Sequence, residues 1–187
     1  MFVRKKKNAK AQKSINRRKN IFKEIFSVNE KFEFIGLLKN IIMPVAGCFI
    51  IGFITKNSLN TYDALKKSMI TPPNLIFRIV WITLYTLMGI AAYRIYMNNK
   101  QGKNDHGGYF NYLVQLLISF FWAIIFLNLR LYGISFILIC ILLLLIVITT
   151  VKFLKTDRIA AVLMIPYILW TVFAGYLSIY IWIFNEM

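Results

Sequence analysis

The sequence predicts an all-α integral membrane protein, a bundle of five transmembrane helices. Three observations predict it. The 187-residue chain is 59% hydrophobic and has a mean hydropathy of +0.63, well above a water-soluble domain. Five stretches, 36–54, 76–96, 110–129, 131–151 and 159–184, each supply the ~20 mostly apolar residues that a spanning helix needs. The short alternating strands of a transmembrane barrel are absent. Where the links between segments are short, the helices are expected to pack as antiparallel neighbours.

Residues 1–35 form a separate basic tail. Eleven Lys and Arg lie in it, from Arg4 to Lys31. It lacks the apolar core and small-residue cleavage site of a secretory signal. Ile21, Phe22, Ile25 and Phe26 make a short helical stripe, followed by Phe32 and Phe34. Two readings stay open, a disordered topology anchor and a cationic segment resting on anionic lipid at ~1 kcal/mol per basic residue. Tethering to a bundle disfavours a nucleic-acid arm, so no nucleic-acid partner is expected.

Charge sets the expected orientation. Of 23 Lys and Arg, 12 lie at or before Lys39. Arg94, Lys100, Lys103, Lys152, Lys155 and Arg158 join them on the same side, which makes 18. Lys56, Lys66, Lys67, Arg78 and Arg130, 5 in all, fall on the other. The positive-inside rule then places the N-terminus in the cytoplasm and the loop 55–75 outside. A multi-pass protein of a bacterial cell membrane is the expected setting.

The first segment contains Cys48 and the fourth Cys140, both mid-segment. They read as small packing residues. His106 lies in a polar loop with no ligand partner nearby, so no metal site is expected. The loop after the first segment reads L-K-K-S-M-I-T-P-P-N-L-I-F over residues 65–77. Pro72 and Pro73 fix two φ angles and remove two donors, which stiffens the chain. A connection of this length suits a lid or a binding loop. Lys66, Lys67 and Arg78 sit at its membrane end, placed either to snorkel or to pair with the carboxylates of an amphipathic ligand.

Three segments carry aromatic and polar stripes. Phe77, Trp81, Tyr85 and Met88 mark the second segment. Tyr112, Gln115, Ser119, Trp122 and Phe126 mark the third, and Pro166, Trp170, Phe173, Ala174 and Leu177 the fifth. Spacings of three and four hold each set near one helix face. In the fifth, Pro166, Trp170, Ala174 and Ser178 recur every four residues, a drift of ~40° per step. Helix contacts explain small residues such as Gly47, Gly89, Ala174 and Ser178. The Gln115 amide needs a partner inside the bilayer. Three aromatic faces together suit a cavity for a flat apolar ligand.

Other functions lose ground on what is missing. The sequence holds no G-x-G-x-x-G, G-K-S/T, G-x-S-x-G or H-E-x-x-H motif. The seven acids, Glu24, Glu30, Glu33, Asp63, Asp105, Asp157 and Glu186, all lie outside the five apolar stretches. A coupled transporter keeps an ionisable group at mid-membrane, so an ion-driven pump is disfavoured. A Ser-His-Asp set is not expected, since its base could only be His106, which lies in a polar loop.

These motifs resemble the TspO/MBR family, the bacterial tryptophan-rich sensory proteins related to the mitochondrial translocator protein, or peripheral-type benzodiazepine receptor. Lys67, Pro72, Pro73, Phe77, Val80, Trp81, Leu84, Tyr85, Met88 and Gly89 match its K-P-x-W-x-P-P-x-W-x-F-x-x-V-W-x-x-L-Y-x-x-M-G pattern, with Tyr62 and Leu65 just upstream. Tyr112, Gln115, Leu116, Trp122 and Phe126 match the third-segment pattern. Pro166, Tyr167, Trp170, Phe173, Ala174 and Leu177 match the fifth, and Gly47-Cys48-Phe49 also fits. The resemblance covers residues 41–185. It implies a homodimeric five-helix bundle with a pocket under the first loop, taking porphyrins or haem as ligands and needing no resident cofactor. It further implies roles for Trp81 and Trp170 in light- and oxygen-dependent porphyrin breakdown. The implied ligand-binding residues are Tyr62, Pro72, Pro73, Phe77, Tyr85, Gln115, Ser119, Trp122, Pro166, Tyr167, Phe173, Ala174 and Ser178.

The sequence also departs from the family. Ile70, Leu75 and Thr61 stand at family tryptophans, Ser68 at a proline, and Ser119 and Ser178 at asparagines. Ile179 and Ile183 occupy the positions of the animal sterol motif, which is therefore unsupported. Three functions are expected in order: a tetrapyrrole-binding sensory protein, a porphyrin photo-oxidase, and a passive carrier or scaffold for apolar molecules.

Overall fold

A computed structural model describes residues 23–58, 65–103 and 106–186. The chain divides into two compact units, Met1–Phe34 and Ile35–Met187. In the first, residues 23–26 form one helical turn. A tight turn follows, in which Val28 and Lys31 exchange backbone hydrogen bonds of 2.9 and 3.0 Å. Asn29 and Glu30 stand at its corner with φ 48° and 63°. Most of the basic tail, including Ile21 and Phe22 of the proposed stripe, lies outside the described residues.

The second unit is an all-α bundle of five helices, each long and apolar enough to cross a membrane. They are α1 (Phe34–Ile54), α2 (Asn74–Asn98), α3 (His106–Ile124), α4 (Tyr132–Thr156) and α5 (Arg158–Asn185). His106 therefore opens a helix rather than sitting in a loop. A π-helical turn, Ile125–Leu129, extends α3, and a second, Asn99–Lys103, follows α2. The helices outrun the apolar windows at several ends. The windows stop where charge begins, but the backbone stays helical through the interface. Thus α4 continues past Val151 through Lys152 and Lys155, with Phe153 fully buried between them.

Packing follows a strict rhythm. On α4, Ser135, Ile139, Leu142, Ile146, Thr149 and Phe153 are buried. On α5, Ala160, Met164, Tyr167, Thr171, Ala174, Ser178 and Ile181 are buried. Both sets alternate steps of four and three, the 3.5-residue period of an interhelical seam. These two helices make the most extensive contact in the bundle; α3 packs on α4, and α2 on α5. Buried serines and threonines satisfy themselves by bonding back one turn, as Thr171 does to Tyr167 O at 2.8 Å. Such local bonds let polar residues sit in a membrane interior.

The first helix is attached along a narrow line. Gly36, Asn40 and Pro44 are its buried residues. A side chain at Gly89 on α2 would have its Cβ 2.7 Å from Asn40 O and 2.8 Å from Ile41 Cα, so the two backbones touch there. The Tyr109 hydroxyl donates to Asn40 Oδ1 at 3.0 Å, tying α1 to α3 as well.

Asp157 is the single residue between α4 and α5. It caps α5 by accepting from Ile159 N at 2.9 Å and Ala160 N at 3.0 Å. Arg94 donates to it through Nε at 3.0 Å and Nη2 at 2.9 Å, and Asn98 Nδ2 at 3.1 Å. Arg94 and Asp157 side chains are only 6% and 8% exposed. Asp157 lies outside the apolar stretches, as the sequence reading has it, but it is a buried acid. Burial alone would raise its carboxyl; the guanidinium, the Ala160 N–H and the Asn98 amide outweigh that and hold it below the usual carboxylate range.

Candidate functional site

A cavity of about 420 Å³ opens between α1, α2 and α3. That is within the usual range for small-molecule pockets. It lies at the end of the bundle from which the first loop springs. Helix α2 supplies Phe77, Trp81 and Tyr85; α3 with its π turn supplies Phe120, Trp122 and Phe126. The third wall is α1, through Cys48, Phe49, Gly52 and Phe53. The stripes pointed to the fifth segment for that wall.

The aromatic rings form one connected group. Trp81 is the hub, with ring centroids 5.6 Å from Trp122, 5.5 Å from Tyr85, 6.1 Å from Phe77 and 6.2 Å from Tyr167. Trp122 stacks on Phe126 at 5.4 Å. Trp170 joins from behind, 5.6 Å from Phe77 and 5.3 Å from Phe173. Phe77 thus stands between Trp81 and Trp170. Contacts of this kind add about 0.5–1.5 kcal/mol each beyond burial, and together they fix the wall in place.

Polar groups lie beneath this aromatic layer. The Tyr85 and Ser119 hydroxyls hydrogen-bond at 2.7 Å. Gln115 is fully buried, and its amide donates to Met88 Sδ at 3.6 Å, a weak acceptor. Among the described residues, Gln115 Oε1 and the Tyr112 hydroxyl have no hydrogen-bond partner, nor do the indole N–H groups of Trp81, Trp122 and Trp170. The need for a partner that the sequence assigned to Gln115 is met only in part.

The sequence-derived residues sort into three groups. Phe77, Trp81, Tyr85 and Trp122 line the cavity. Gln115, Ser119, Tyr167, Ala174 and Ser178 are buried behind it, with Trp170 and Phe173 half-buried at its back. Ser178 bonds to Ala174 O of its own helix at 2.9 Å. Pro72, Pro73 and Pro166 stand apart. Pro72 and Pro73 lead into α2, where the Pro73 carbonyl accepts from Phe77 N at 3.1 Å. Pro166 is exposed on the outside of α5. Steps of four drift ~40° each, so a run aligned with the core at Ser178 has left it by Pro166. Tyr62 lies outside the described residues.

The α1 wall was missed because its lining residues are mostly apolar and share no aromatic rhythm. The available signal was the run of small residues Gly47, Cys48 and Gly52. The Phe120 ring lies directly against Gly47, where any side chain would displace it.

The loop is pinned across the bundle. Asn185, at the end of α5, accepts from Lys66 N at 2.8 Å and donates to Lys66 O at 3.1 Å. Ser68 and Tyr176 hydroxyls meet at 3.2 Å. A turn closed by Thr71 N to Ser68 O at 3.0 Å then leads to the two prolines.

A five-helix membrane protein with an aromatic cavity near one bundle end is the class these features define. The chain belongs to the TspO/MBR family, whose pattern matches residues 40–183. It is 33% identical over 152 residues to the tryptophan-rich protein TspO of Archaeoglobus fulgidus, covering 80% of this chain and 96% of that one. It is 32% identical over 124 residues to protein CrtK of Rhodobacter capsulatus, covering 66% and 78%. Human translocator protein is 28% identical over 148 residues, covering 74% and 83%.

Proposed function

We propose that this membrane protein binds a tetrapyrrole or a similar flat apolar ligand in the α1–α2–α3 cavity, with a sensory or regulatory output. The observation that carries the reading is the aromatic lining around Trp81: indole and phenyl rings, few polar groups, and no carboxylate among the lining residues. Such a surface takes a planar conjugated ring by stacking and apolar burial. A relative from Cereibacter sphaeroides that is 28% identical over 109 residues is named a tryptophan-rich sensory protein, which supports the output half of the reading. The same proposal includes the homodimer implied by the family resemblance, and an N-terminus on the cytoplasmic side, drawn from the charge count.

Two of the four tryptophans, Trp81 and Trp122, line the cavity. Titration with protoporphyrin should therefore quench the intrinsic emission. Trp81→Phe replaces the indole by a smaller ring, should weaken binding by about 3-fold as part of one aromatic contact is lost, and should reduce the quench at saturation. Unchanged emission in both the parent and the variant defeats the proposal.

A further inference from the structure

One side chain in the cavity lining carries a formal charge, and it lies at the mouth. Arg78 is exposed and stands one turn into α2. Among the described residues no carboxylate pairs with it. A second cation is adjacent: Lys56 Nζ rests 4.1 Å above the ring of Phe53, which forms part of the α1 wall. Of the other polar groups in the lining, the Thr55 hydroxyl is committed to Ile51 O at 2.9 Å and Tyr85 to Ser119. The chamber is therefore neutral and aromatic within and cationic at its rim. Helix α1 ends and α2 begins at this rim, the depth at which a membrane gives way to water.

We infer that Arg78 selects anionic amphiphiles, holding an acid group at the mouth while the apolar body fills the chamber. The inference rests on the ligand-site reading above and adds the charge of the ligand to it. A guanidinium presents a fork of donors that suits a carboxylate or a phosphate. The acid could be carried by a free amphipathic molecule or by an anionic lipid.

The test uses the full chain in phosphatidylcholine nanodiscs, titrated with protoporphyrin and with its dimethyl ester. Arg78→Gln should weaken the diacid about 10-fold, the worth of one charge-assisted contact, and leave the diester unchanged. Arg78→Lys should keep most of the affinity for the diacid. An equal effect on both porphyrins, or none on either, overturns the inference while leaving the ligand site standing. Failure of both porphyrins to bind the unmodified protein overturns the ligand site and the inference with it. Repeating the titration with phosphatidylglycerol distinguishes the sources. Competition against the diacid that Arg78→Gln abolishes assigns an anionic lipid, and an unchanged affinity assigns a free acid.

Discussion

Replacing Arg94 by Met is expected to destabilise the bundle by about 3–5 kcal/mol, the cost of stranding one member of a buried ion pair. Asp157 receives donors from α2 and from the first turn of α5, so a single carboxylate joins three helices. Without the guanidinium it stays buried with only amide partners. The melting temperature in detergent should fall by roughly 10 °C or more for a chain of this length. Asp157→Asn keeps a cap acceptor for α5 but strands Arg94, and should cost a similar amount. The double variant Arg94→Met/Asp157→Asn should recover part of the loss, because no charge is left unpaired. Additive losses would show that the pair is not coupled. The pH dependence has a definite sign. The folded carboxyl is held below its unfolded value of ~4. Its contribution is therefore complete above that value and is lost as pH falls through the lowered folded one.

Gly89→Val should have the next largest effect, through α1. Even a methyl group there meets the Asn40 carbonyl oxygen and Ile41 Cα, atoms of the neighbouring backbone that no rotamer change can move. Overpacking of this kind costs about 1–3 kcal/mol. The functional effect should be larger than the stability loss suggests. Displacing α1 opens the wall that Cys48, Phe49 and Phe53 provide, so porphyrin affinity should fall by about 10-fold or more even where the protein still folds. Gly175→Ala offers the control. It lies outside the cavity lining, and a Cβ there meets only Ile139 Cγ2 at 3.7 Å, an ordinary contact, so its binding curve should match the parent. If Gly89→Val binds normally, α1 is not held by that contact.

How much of this could be read in the sequence depends on the range of the contact. Apolar length gave the five helices. The spacing of Tyr112, Gln115, Ser119, Trp122 and Phe126 gave a true interior face, since all five are buried. Within one helix, periodicity reports burial directly. It does not report which helix stands opposite. The α1 wall and the Gly89 contact with Asn40 depend on how two helices cross, which no local pattern encodes. The partnership of Arg94 and Asp157 joins residues 63 apart, and each alone reads as an ordinary interfacial charge. The every-four spacing in α5 misled at one end only: Ala174 and Ser178 face inward, and Pro166 does not. Trp170 keeps an aromatic environment, but behind Phe77 rather than across an open chamber from Trp81.

The central claim is that the α1–α2–α3 cavity is where a tetrapyrrole sits, and the chain's two thiols test it most directly. Cys48 lines the cavity, while Cys140 is exposed on the outside of α4. Alkylation by a membrane-permeant maleimide can be followed at each site by peptide mass spectrometry, with and without protoporphyrin. The account predicts that saturating porphyrin slows alkylation of Cys48 about 10-fold, as occupancy of the chamber requires, and leaves Cys140 unchanged. Equal rates at Cys48 with and without bound porphyrin would place the ligand elsewhere and contradict it.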